Sequence, residues 1–173
     1  MCFMNRQDHP ARGAQPPTLP CTLAPHAYML PLGEQFVLWA LRQWQCEVAR
    51  WNAKRTLPEG GSALQRGFDL ARMRPALPHF AMVMDTVLCG MARPIEIYPP
   101  PAPILSADEA MLVALCGLAQ GGLDGPLQAC LSALLPPESC RVATAQLKLF
   151  AVVLGEAGLG SAPPICGEGG WLH

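Results

Sequence analysis

The chain is poor in charge and poor in aromatics. Of its 173 residues, 14% are charged and 6% are aromatic, against 51% that are hydrophobic. So little charge with so much apolar material excludes a disordered chain, which needs the opposite balance. Scarce aromatics leave the core to Leu, Ala, Val and Met. That composition favours helices over a β-sandwich or barrel, which draw on β-branched and aromatic residues. Long hydrophobic runs are also missing. The longest, Ala110 to Ala119, reaches about half of the roughly 20 residues that a membrane span requires. No apolar segment follows the polar stretch Asn5 to Gly13, so an export signal is not expected and the chain reads as cytoplasmic and membrane-free.

Catalytic signatures are absent too. The sequence contains no G-x-S-x-G, Walker loop, G-x-G-x-x-G or H-E-x-x-H. It has eight cysteines but no C-x-x-C. Without an export signal the central cysteines read as small buried hydrophobes, with no disulfide framework. No catalytic residues, resident cofactor or metal site are expected, and the reading leans away from an enzyme.

Net charge is −1, which gives no global case for nucleic acid. The charge is nevertheless uneven. Arg50, Lys54, Arg55, Arg66, Arg72 and Arg74 are opposed only by Glu59 and Asp69, whereas from residue 104 onward two cations face six acids. The basic segment is a candidate docking face for an acidic protein partner. As a DNA reader it is poorly supplied. The helix that would enter a groove begins at Pro78 and carries no lysine.

What is present is helical periodicity. Val37, Leu41, Trp44, Val48 and Trp51 recur every three or four residues and predict one face of a helix over 34–55. Arg42, Gln43, Gln45, Glu47 and Arg50 fall on its polar side. Trp39 lies off the stripe and marks either a second buried face or a contact surface. Ser62 with Gln65 predicts a capping box and a second helix from residue 63. A third follows from 77 to 91, with Pro78 in its first turn. Ser106 with Glu109 caps a fourth, apolar on nearly all sides and expected to be the most buried. Asp124 is the expected N-cap of a fifth, and a sixth runs from 138 to a left-handed C-cap at Gly158.

Six helices with short connections predict an all-α domain of helical hairpins. Its boundaries are a proline-rich arm over 1–31, a helical domain over 32–158 and a flexible tail over 159–173. Within the domain, an extended crossover at 93–105 separates a basic half, 32–92, from an acidic and apolar half, 106–158. The crossover "RPIEIYPPPAPIL" favours polyproline II and reads as a stiff strut packed along its own domain. A binding groove, if present, is expected where the two halves meet.

The function expected is interaction, as an adaptor or regulatory subunit. Trp39, Tyr98, Phe150 and the six basic residues Arg50, Lys54, Arg55, Arg66, Arg72 and Arg74 are the candidate contact residues. The last helix carries Val142, Leu147, Leu149, Phe150, Val152, Val153 and Leu154, more apolar residues than one stripe holds, which predicts a self-association face and a homodimer. The alternative is a ligand-, haem- or metal-binding bundle. His79 and Met82, one turn apart, would supply its cofactor contacts.

Overall fold

The computed structural model describes residues 26–54 and 62–160, with the side chain of Lys54 excepted. Expectations for 1–25, for 161–173 and for Arg55 lie outside the described residues. The fold is all-α. Its six helices are α1 (Leu32–Lys54), α2 (Ala63–Leu70), α3 (Leu77–Gly90), α4 (Ala107–Gln120), α5 (Asp124–Leu134) and α6 (Pro137–Glu156). Single 3-10 turns stand at Ala27–Met29 and Arg74–Ala76.

Local chemistry sets the helix ends. Ser106 and Glu109 form the full reciprocal capping box at the start of α4. Ser62 accepts from the Gln65 N–H, and a further acceptor reaches in from α1. The Glu47 carboxylate takes the Ser62 hydroxyl at 2.7 Å and the Leu64 N–H at 2.9 Å, which ties α2 to α1. At α5 the expected cap is displaced by one residue. Leu123 is the N-cap, and Asp124 enters the first turn, where it pairs with Lys148 of α6 at 2.8 Å. A first-turn carboxylate suits the helix dipole, so Asp124 serves charge there instead of capping.

The core is one cluster with contributions from all six helices. α4 packs against α1, α5 and α6, and α6 packs against α3. The α3–α6 pair is antiparallel: His79 meets Gln146, and Gly90 lies against Ser139. The few aromatics are concentrated. Phe36, Phe68, Phe80 and Phe150 form a contiguous group with ring centroids 5.1–6.4 Å apart. Such tilted and edge-on pairs add to the apolar burial of large rings.

Three expectations change here. Phe150, a candidate for the self-association face, is 1% exposed and belongs to this aromatic centre. α6 turns Cys140, Ala143, Leu147, Phe150, Ala151 and Leu154 inward, so Leu147, Phe150 and Leu154 of its apolar surplus are core. Trp51, placed on the buried stripe of α1, is 52% exposed. The 23-residue α1 outruns its neighbours, and residues 49–53 all lie in solvent. Arg42, assigned to the polar side, is 3% exposed and sits inside the molecule.

Candidate functional site

The buried arginine explains the proline-rich crossover. Prolines supply carbonyls but no N–H, so a proline-rich segment is rich in acceptors and poor in donors. A guanidinium carries five N–H donors in a fixed fork. Arg42 donates from Nη1 to the Ala102 carbonyl at 2.6 Å and the Pro100 carbonyl at 3.3 Å. Nη2 donates to the Ile104 carbonyl at 2.8 Å. The remaining donors make a two-pronged contact with Glu109, Nε to Oε1 at 2.8 Å and Nη2 to Oε2 at 3.0 Å.

Aiming three alternate carbonyls at one guanidinium curls the chain. The Ala102 N–H donates to the Pro99 carbonyl at 3.0 Å, closing a turn over Pro99 to Ala102. The expected polyproline II strut is therefore interrupted at its centre, because polyproline II has no internal hydrogen bonds. Pro99, Pro100, Pro101 and Pro103 stay exposed while their backbone is held from beneath. The far end of the arm joins in: the Ala27 N–H donates to the Pro103 carbonyl at 2.8 Å, and His26 bridges Ile104.

The start of α4 anchors the same assembly. Glu109 accepts from the Tyr98 N–H at 3.1 Å and the Ser106 N–H at 2.9 Å, beyond its bonds to Arg42. Asp108 accepts from Arg93 and, at 2.8 Å, from the Glu96 N–H. The Arg93 guanidinium holds the Asp108 carboxyl below its ordinary range, with help from that N–H and against the effect of burial. Each of these two first-turn acids therefore has a cationic partner, Arg93 for Asp108 and Arg42 for Glu109. No buried side-chain nitrogen or oxygen among the described residues lacks a hydrogen-bond partner. The clamp's donors and acceptors are thus committed to holding the crossover.

Beside the clamp, Trp39 stands between two open clefts. The first, of about 130 Å³, is lined by Ala27, Tyr28, Gln35, Leu38, Trp39, Arg42 and Pro100. The second, of about 320 Å³, is lined by Leu32, Gln35, Phe36, Trp39, Ala71, Ala157 and Leu159. It lies where the C-terminal end of the acidic half meets the basic half. Trp39 is half-buried, tilted against Phe36 at 5.6 Å. The outer edge of its ring abuts Gly67, where an added Cβ would fall 1.9 Å from the nearest ring carbon. A glycine on α2 thus leaves the room that the tryptophan occupies between the clefts.

Other candidate residues are dispersed. Arg50, Arg66, Arg72 and Arg74 are exposed, and Arg74 pairs with Asp69 at 2.9 Å. Arg72 stands next to Ala71, a wall of the larger cleft, with φ of 57°. Tyr98 is half-buried within the crossover. His79 is engaged through Nδ1 with the Gln146 side-chain oxygen at 2.7 Å, and Met82 is 47% exposed. No group of three or more His, Cys, Asp or Glu side chains is placed to hold a metal ion among the described residues. No helix among them is long and apolar enough to cross a membrane.

In the sequence the only mark of Arg42 is the donor deficit of the crossover, which requires a polyvalent donor from elsewhere in the fold. No protein-family model, curated protein or solved structure matches the chain.

Proposed function

We propose that this chain is a protein-interaction module that seats an apolar segment of a partner against Trp39, as an adaptor or regulatory subunit in the cytoplasm. The observation that carries the reading is the pair of clefts meeting at one half-buried tryptophan. Tyr28, Met29 and Leu32, at the edge of the same face, are 74%, 82% and 70% exposed. Single exposed apolar residues are ordinary, whereas a contiguous group beside a groove marks a binding surface. Tryptophan and tyrosine are the residues most enriched among interface anchors. Arg72, exposed and next in sequence to Ala71 of the larger cleft, favours a partner segment with an acidic flank.

Site-specific photocrosslinking in the native host tests this reading. A photoreactive residue at Leu32 is expected to capture a defined partner, while the same residue at Asp85, exposed on α3, captures none. Leu32→Asp, a charge placed on the rim, is expected to reduce binding of that partner by about tenfold or more. Equal capture from both positions would remove the proposal.

A further inference from the structure

We infer that the C-terminal segment of this chain, residues 161–173, folds back to seat Trp171 and Leu172 in the larger cleft beside Trp39, where an incoming partner must displace it. The inference rests on the reading of that cleft as a docking surface and names what regulates it. The route starts in the cleft wall. After the left-handed turn at Gly158, Leu159 is itself a lining residue. Its N–H donates to the Leu154 carbonyl at 2.9 Å. Its carbonyl accepts from the Gln120 side chain at 3.3 Å and lies against Gly33 of α1. Contacts from three helices thus fix where the chain leaves the fold, at the edge of the cleft. Residues 161–173 continue from there as SAPPICGEGGWLH.

Reach, chemistry and charge select this occupant. An extended residue spans about 3.3 Å, so the chain from Leu159 to Trp171 covers about 40 Å, ample to leave the cleft's edge and return. Gly167, Gly169 and Gly170 place no side chain in the way just before Trp171. The cleft, of about 320 Å³, is walled by Leu32, Phe36, Trp39, Ala71 and Leu159, with Gln35 as its one polar side chain. An indole beside Phe36 and Trp39 gains aromatic contact beyond its buried area. Glu168, the only acidic side chain of the segment, stands three positions before Trp171. It matches Arg72, which is exposed and next in sequence to Ala71 of the cleft. The N-terminal arm suits this cleft less well, because it joins the described fold at His26, next to the Ala27 and Tyr28 walls of the smaller one. Tethering favours the segment further. A short linker holds it at an effective concentration on the order of millimolar, so a docking too weak for a free peptide is populated within one chain.

Photocrosslinking within the purified full chain tests the inference. A diazirine-bearing residue at Leu32, on the cleft wall, is expected to join residues 168–173 in a monomeric product, at a yield independent of protein concentration. Trp171→Ser is expected to lower that yield by about fivefold or more, whereas Ile165→Ser, in the same segment but outside the docked pair, leaves it within about twofold. No product with the segment, a product only between two copies, an undiminished yield from Trp171→Ser, or equal losses from both variants would overturn it. In the native host, the same probe in the Trp171→Ser chain is expected to capture about twice the partner that wild type does, or more, because the cleft is free. Unchanged capture of that partner would overturn the displacement. A host partner absent from both chains would sink the adaptor reading alone, since the purified chain decides this one without it.

Discussion

Arg42 is the residue on which the interior polar chemistry turns. It joins α1, the crossover and the first turn of α4 through one guanidinium. Removing one member of a buried charge pair leaves the other without compensation, at a cost of about 3–5 kcal/mol. Arg42→Met is therefore expected to lower unfolding free energy by about that amount. Urea titration followed by circular dichroism measures it. Arg42→Lys is expected to recover little, since a single ammonium cannot reproduce a two-pronged contact and reach three carbonyls as well. At this scale the sequence is least legible. Periodicity puts position 42 on the polar side of α1, which is correct for an isolated helix. What covers that side is a segment some 60 positions away, and helical spacing carries no information about it.

Elements are far more legible, because helix starts and stops depend on neighbours in sequence. Ser62, Ser106 and Gly158 stand at the ends they predict. α2, α4 and α6 all end in the same left-handed motif, with the closing N–H of Met73, Leu123 and Leu159 donating five residues back. Two of the left-handed positions are glycines, Gly122 and Gly158; the third is Arg72, at φ of 57°. A side chain in that conformation costs about 1 kcal/mol relative to glycine. Arg72→Gly is expected to stabilise the fold by about 0.5–1 kcal/mol, less any gain in unfolded-state freedom. The thermal midpoint reports it. The crossover is the exception among elements. Its composition suggests polyproline II, but three carbonyls drawn to one donor group bend it into a turn.

The described residues share one helical core, and their thiols report on it. Cys89 and Cys130 are exposed, whereas Cys116 and Cys140 are buried. Burial pushes the Cys116 thiol up to about 12, so it carries almost no thiolate at neutral pH. Alkylation of the native protein, read by peptide mass spectrometry, is expected to modify Cys89 and Cys130 quickly. Cys116 and Cys140 react only through global opening, more than about a thousandfold more slowly for a fold of ordinary stability. Comparable rates at all four would show that the α4–α6 core is not closed. By itself the sequence determined the all-α class, the six helices and most of their caps, because these follow from local spacing and hydrogen bonding. Only the tertiary structure decided that Arg42 is internal, that Phe150 is core while Leu149 is not, and that Trp39 stands between two clefts. Each of those depends on which distant element lies against a given helix face, and that is settled by packing across the chain.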